Sequence, residues 1–247
     1  MTSGLAQLVR GLGDAVFPPT CVQCRGLVER TGADGLRHVC ARCERQLRWV
    51  APPHCPACGH PFAGQVEGER LCPHCTDLVP AYREGRTAVL LRGPARALVH
   101  ELKYHGGLHV LPDLRELFRR SAPVLELARG AVLVPVPLHP RKERERDFNQ
   151  SALLAAELAR AAGGGARVVP LLRRVVDTET QTRHDRRARR ENLKNAFALA
   201  RGAGLYRAQH LVLVDDVFTT GSTLNSCAHV LRRAGCLNLD VVTLGHG

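Results

Sequence analysis

The sequence predicts an α/β fold, a parallel sheet flanked by helices, with a small cysteine-built module in front of it. Two observations predict this. From about Arg86 onward, short continuously apolar runs alternate with segments of helical period, the pattern of strands buried on both faces. Before that point, eight of the ten cysteines fall between residues 21 and 75, in a stretch poor in large apolar side chains. A chain of 247 residues is long enough for one sizeable core and a small additional module. We place the boundaries at 1–17 for a short N-terminal helix, 18–80 for the cysteine module and 86–247 for the α/β body.

The first segment carries Leu5, Leu8, Val9, Leu12 and Val16 at helical spacing. It has no uninterrupted apolar core and no small-residue cleavage site, so it does not read as a signal peptide. No apolar run approaches the roughly 18 residues of a membrane span. The expectation is a cytoplasmic protein with no transmembrane segment.

The module holds four C-x-x-C pairs: Cys21 with Cys24, Cys40 with Cys43, Cys55 with Cys58, and Cys72 with Cys75. Two residues between thiolates let both sulfurs of one tight turn reach the same ion. Two such turns supply the four-sulfur tetrahedral shell that Zn²⁺ favours. The spacing therefore predicts two zinc sites. Sequential pairing is simplest, and crossed pairing satisfies the same count. Each site is complete with protein ligands, so the zincs are structural. Disulfides are disfavoured where thiols stay reduced. His38, His54, His60 and His74 are expected beside the sites rather than in them. Cys227 and Cys236 are expected to be buried thiols.

In the body, TAVLLRG is the first strand candidate. PARALVHELKYHGG and PDLRELFRRSAPVLELA read as helices, VLVPVP as a strand, and NQSALLAAELARAAGGG as a helix ending in glycines. ARVVPLLRRV and HLVLVDDVF are further strands. STLNSCAHVLRRAGC is a helix and LDVVTLGHG the last strand. In such sheets ligands sit beyond the carboxyl ends of the strands, and Asp215 and Asp216 fall at such an end.

The stretch LVLVDDVFTTGST, Leu211 to Thr223, is the most informative. Gly221 permits close backbone approach. A helix starting near Ser222 presents free N–H groups and a partial positive charge, which suit phosphate. Thr219, Thr220, Ser222 and Thr223 add hydroxyls. The aspartates can accept hydrogen bonds from neighbouring ribose hydroxyls, or hold Mg²⁺ through water. Donors for phosphate and acceptors for a diol, a few residues apart, match a ribose 5-phosphate. No Lys follows the Gly, so this is not a P-loop.

The net charge is +12, and of 35 basic residues only Lys103, Lys142 and Lys194 are lysine. Arginine suits phosphate or nucleic-acid partners, although an Arg-, Ala- and Gly-rich composition also follows from GC-rich coding. RKERER (141–146) and RHDRRARR (183–190) are either solvated faces, counter-charge to a polyphosphate, or a nucleic-acid surface. Aromatic content of 4% excludes an extended base-stacking platform, and Trp49, Tyr82 and Tyr104 read as packing residues. Lys103 reads either as a surface lysine or as one that reaches the pocket.

LVLVDDVFTTGST closely resembles the phosphoribosyl-diphosphate (PRPP) motif of type I phosphoribosyltransferases. Further segments resemble the ComF (ComFC/GntX-like) family in order along the chain: FPPTC with its paired C-x-x-C motifs, ELKYHGG, VPVPLHPRKERERDFNQS, Thr178-x-x-Gln181, and RRENLKNAF. The resemblance implies a type I phosphoribosyltransferase fold with a double zinc ribbon. It implies that Asp215 and Asp216 hold the ribose hydroxyls, that Thr219, Thr220, Gly221, Ser222 and Thr223 cradle the 5-phosphate, and that His139, Arg141 and Lys142 lie in the pyrophosphate loop. It places Gln181, Arg186, Arg189 and Asn192 in a flap over the substrate. PRPP would arrive with Mg²⁺. Where the family reads R-G-F-N-Q this chain has Asp147 in place of Gly, an acid that either caps the next helix or faces the pyrophosphate. Two activity classes follow. One is a phosphoribosyltransferase acting in DNA uptake (competence) or nucleotide metabolism, with Asp215 and Asp216 as its catalytic pair. The other is a non-catalytic protein that senses PRPP or a nucleotide, or holds single-stranded DNA beside other competence proteins. The residues name no acceptor.

Overall fold

The structure is a computed structural model that describes residues 18–29, 35–64, 66, 68–176 and 196–247. The expected N-terminal helix at 1–17 and the segment carrying Gln181, Arg186, Arg189 and Asn192 lie outside the described residues. No helix among the described residues is long and apolar enough to cross a membrane.

Five strands form one parallel sheet in the order β1-β7-β6-β2-β3: β1 (Gly85–Leu90), β2 (Val132–Pro135), β3 (Arg167–Val168), β6 (Leu211–Phe218) and β7 (Leu239–His246). The continuous apolar runs follow from cover on both faces. Val212, Val214 and Val242 pack into one layer with Leu98 and Leu102 of α3 (Gly93–His105), Leu114 and Phe118 of α4 (Leu111–Arg119), and Leu154 and Leu158 of α7 (Gln150–Ala162). Leu211, Leu213 and Val241 pack into the other with Leu224, Cys227 and Leu231 of α8 (Ser222–Arg233). Alternate residues of one strand thus serve different layers.

The cysteine segment straddles this sheet. Its first half (Cys21, Val22, Cys43) belongs to the α3/α4/α7 layer and its second half (Cys55, Cys58, Cys72, Cys75) to the α8 layer. The chain between them runs along the outer edge of β1. Val50 N–H donates to Ala88 O at 3.1 Å, Leu90 N–H donates to Arg48 O at 2.8 Å, and Trp49 bridges Val89. An edge that would otherwise expose unpaired backbone is covered. Short helices α1 (Ala41–Glu44) and α2 (Pro73–Thr76) each begin on a cysteine pair.

Three departures from the sequence expectation have local causes. The long helix expected over residues 112–128 is two, α4 and α5 (Ala122–Ala128), because Pro123 suits the first turn of a new helix and not the interior of an old one. ARVVPLLRRV divides at Pro170 into β3 and β4 (Leu172–Arg174), and β4 pairs antiparallel with the unanticipated β5 (Phe197–Leu199), apart from the main sheet. RKERER forms α6 (Pro140–Arg146), an exposed helix with an Arg141–Glu145 pair at 3.1 Å. Tyr82 is buried as expected, whereas Tyr104 is 63% exposed beneath the Arg146 guanidinium, and Trp49 lies at the surface of the β1 edge.

At the amino end of β7, the fully buried Asp240 accepts from Arg83 Nη2 at 2.6 Å and from the Glu84 amide at 3.2 Å, and lies 2.7 Å from His210 Nε2. Burial acts to raise its pKa, but the bonds to His210 and Arg83 outweigh it and hold the carboxyl below its ordinary value. We predict that Asp240→Ala lowers stability by about 3 kcal/mol at pH 7, read by urea unfolding, since Arg83 loses its buried carboxylate and His210 its hydrogen-bond partner. A depressed folded pKa means that the contribution is present above the ordinary carboxylate value and is lost as pH falls through the folded one. The gap between the two proteins therefore narrows in acid, and a gap that stays constant down to pH 3 would count against this assignment.

Candidate functional site

The eight cysteines form two tetrads by sequential pairing, Cys21/Cys24/Cys40/Cys43 and Cys55/Cys58/Cys72/Cys75, with all sulfurs of a tetrad within 4.8 Å of one another. Cys24 and Cys40 sulfurs are 3.7 Å apart, and Cys58 and Cys72 sulfurs 3.6 Å. Four sulfurs at tetrahedral Zn–S distance from one ion stand about 3.8 Å apart, so both donor sets fit zinc. Backbone N–H groups of His60 and Cys72 donate to Cys58 Sγ and Cys55 Sγ at 3.3 and 3.4 Å, which suits thiolates. The second tetrad is buried throughout, while Cys24 of the first is exposed. Among the described residues no histidine joins either set. His38 Nδ1 lies 3.1 Å from the buried Asp113 instead, and His60 and His74 pack with His246, which in turn stacks on Phe218. Cys227 and Cys236 are fully buried, as expected.

Asp215 and Asp216 lie within β6, toward its carboxyl end. β6 continues to Phe218, but β2 makes its last register pair at Pro135↔Val214. The aspartates sit where β6 loses that neighbour, and the gap admits side chains from other elements. Ser151, in the first turn of α7, donates its hydroxyl to Asp215 Oδ1 at 2.8 Å, and the Asp216 amide donates to the same oxygen at 2.9 Å. Lys103 of α3 forms an ion pair with Asp216 Oδ2. Burial and then the neighbouring charge of Asp216 push the Asp215 pKa up to about 7, against the pull of Ser151, the Asp216 amide and Lys103. Ser151 is not among the residues that the sequence marks as a site, and Lys103 stands there only as one of two readings. Lys103 had a sequence signal: it stands four residues after Val99 and next to Leu102 in the buried stripe of α3, where a charge requires an answering one. Ser151 had only its place in the N-Q-S tripeptide.

The turn after β6 leads directly into α8 (Ser222–Arg233). Gly221 has φ 71° and is the N-cap of α8, with no capping side chain. A Cβ there would meet Phe218 Cζ at 2.5 Å and Leu78 Cδ2 at 2.7 Å, so only glycine fits. The Thr220 and Ser222 hydroxyls are 3.0 Å apart. Ser222 is buried, Thr220 and Thr223 are half-buried, and Thr219 is exposed. The first turns of α8 are tied to the chain leaving the second tetrad: Asn225 Oδ1 accepts from Ala81 N–H at 2.7 Å, and its Nδ2 donates to Leu78 O at 3.1 Å.

On the far side of β2, His139 is the N-cap of α6 and accepts from the Arg141 amide through Nδ1 at 3.3 Å. Arg141 is exposed and Lys142 half-buried. Asp147 ends α6 in the left-handed conformation, φ 63°, where glycine is easiest and Asp is among the better-tolerated alternatives. It does not cap α7. Asn149 does, its Oδ1 accepting from Ser151 N–H at 2.9 Å.

Comparison with known proteins agrees with these two halves. Residues 12–77 match the double zinc ribbon domain and residues 149–245 the phosphoribosyl transferase domain. The chain is 29% identical to Competence protein F of Haemophilus influenzae, over 90% of this chain and 94% of that protein. It is 34% identical to DNA utilization protein YhgH of Salmonella typhimurium, over 84% and 88%. It is 26% identical to Competence protein ComFC of Bacillus subtilis, over 80% and 79%.

We predict that elemental analysis of the purified protein finds two zinc ions per chain, one for each tetrad. Because Cys72 is buried in a fully buried tetrad while Cys24 is exposed, Cys72→Ser lowers the thermal midpoint more than Cys24→Ser does. Metal-free protein with oxidised cysteines, or equal losses in the two variants, would contradict the assignment.

Proposed function

The chain belongs to the ComF family, and from that premise we propose that it binds PRPP at the end of the β6–β7 pair as a phosphoribosyltransferase-like protein of DNA uptake. One observation carries the reading. A carboxylate pair, Asp215 and Asp216, is followed at once by a glycine-shaped turn that opens a helix without a capping side chain. Diol acceptors and phosphate donors thus stand in order along one strand and turn. Asp215 and Asp216 take the ribose hydroxyls. The first-turn N–H groups of α8, with Thr219, Thr220, Ser222 and Thr223, take the 5-phosphate at the positive end of a 12-residue helix. Gly221 keeps that approach open.

The leaving pyrophosphate lies toward His139, Arg141 and Lys142, which follow β2 out of the same carboxyl edge of the sheet. Mg²⁺ held by the substrate's own phosphates supplies charge neutralisation there. The chain's share of the chemistry is to orient the sugar and to screen it from water, with cationic side chains facing the departing charge. The resemblance assigns Gln181, Arg186, Arg189 and Asn192, which lie outside the described residues, to a flap over the substrate, and Asp147 is exposed at the end of α6. A cytoplasmic setting, with thiols kept reduced, suits the two cysteine tetrads.

The second reading is a non-catalytic protein that holds single-stranded DNA. The net charge of +12 and the exposed basic helix α6 favour it, as do relatives named for competence and DNA utilization.

Isothermal titration with PRPP and Mg²⁺ separates the two. We expect saturable binding that falls at least about 10-fold in Asp215→Asn/Asp216→Asn, each lost charged acceptor weakening a hydrogen bond. Asp215 accepts best when ionised and has a pKa of about 7, so affinity rises between pH 6 and pH 8. Equal affinity in the double variant would sink the reading. Salt-sensitive oligonucleotide binding with no PRPP binding would favour the alternative.

A further inference from the structure

The ion pair between α3 and β6 has no counterpart in the assignments above. We infer that Lys103 is a positioning residue of the sugar-binding end, holding and balancing Asp216 so that both aspartates serve one ribose diol together. The inference rests on the PRPP reading and deepens it.

The argument begins with charge. Two carboxylates on successive residues of a half-sheltered strand repel each other, and in a partly desolvated site that repulsion is weakly screened. Asp216 is 6% exposed. Without a cation nearby, the pair relieves itself by taking up a proton or by turning one carboxylate away, and either response removes a hydroxyl acceptor. Ser151 and the Asp216 amide fix Asp215 through its Oδ1. Asp216 has no such neutral anchor described, and its partner is the Lys103 ammonium.

The residue type matters as much as the charge. Lysine is scarce here, three residues against 32 arginines by subtraction from 35 basic residues. A guanidinium fork engages both oxygens of a carboxylate and directs its donors in a fixed plane. It would occupy the acceptors that a diol needs. An ammonium is a compact point charge that contacts one oxygen and leaves the other lone pairs open. Lysine therefore suits a carboxylate that must be held and still accept from a ligand.

The supporting helix is built to deliver it. Leu98, Val99 and Leu102 are buried against the sheet and fix the rotation of α3, and the Lys103 side chain is only 20% exposed. Gly106 ends the helix in the left-handed conformation, with its N–H donating to Glu101 O. Lys103 thus lies in the last turn, where the helix dipole favours a cation.

The test compares Lys103→Met and Lys103→Arg with the unmodified chain, by titration with Mg²⁺–PRPP and, separately, with inorganic phosphate. Thermal midpoints check folding. Among the described residues, the groups facing Asp215 are Asp216 on its own strand, Ser151 from α7, Cys227 from α8 and Lys103 from α3. Removing the only cation among them moves the midpoint of the pH dependence upward. We expect Lys103→Met to weaken PRPP about 10-fold or more at pH 7, to recover part of that loss by pH 8.5, and to leave phosphate binding unchanged. Lys103→Arg keeps the pH midpoint of the unmodified chain but binds PRPP more weakly than it does. Unmodified affinity and midpoint in Lys103→Met, or an equal loss of phosphate binding, overturns the inference while the PRPP reading stands. No PRPP binding by the unmodified chain overturns that reading, and this one with it.

Discussion

Two adjacent carboxylates must stand at the edge of a buried strand, and much of the molecule is arranged around that demand. β6 is central in the sheet, so its first four residues are apolar and paired on both sides. β2 stops at the level of Val214, and only there does room appear for polar side chains. Three elements then converge on Asp215 and Asp216: α7 with a hydroxyl, the β6 backbone with an amide, and α3 with an ammonium. The carboxylates tolerate partial burial because each is answered. Release either neighbour and the pair reverts to two like charges in poor solvent.

Where the determinants were local, they were legible in the sequence. The two-residue gaps between cysteines dictate which sulfurs share a turn, and the continuous apolar runs dictate strands covered on both faces. The strand–acid–acid–turn–helix order from Leu211 to Thr223 is one uninterrupted stretch. Pairing order between the cysteine turns was not legible, since either order satisfies four ligands per ion, and the choice follows from how the chain wraps β1. Pro123 and Pro170 are visible, but the apolar period runs across both, so the sequence suggests one helix where there are two and one strand region where there are two. The β4–β5 pair depends on partners far apart in sequence, Leu172 with Leu199. Lys103 and Asp216 are equally remote, and nothing within either segment specifies the other.

The cysteine segment is held to the body by polar anchors as well as by shared cores. The Arg37 and His38 amides donate to the buried Asp113 of α4 at 2.6 and 2.8 Å. On the other side, Thr87 Oγ1 donates to Cys58 O at 2.8 Å and the Tyr82 hydroxyl donates to Ala57 O at 2.9 Å. A polypeptide with few large side chains of its own thereby borrows apolar surface from both layers of the sheet, while metal fixes its turns.

The contact between Gly221 and Leu78, with Asn225 stitched to Leu78 and Ala81, has a consequence for how such a molecule can vary over generations. The turn that opens α8 is shaped on one side by its own strand and on the other by the stretch just after Cys75. A ribbon of different length or trajectory would leave that turn unsupported. The two halves are therefore not interchangeable parts on a string. The second cysteine tetrad and the turn that opens α8 must be inherited, or redesigned, together.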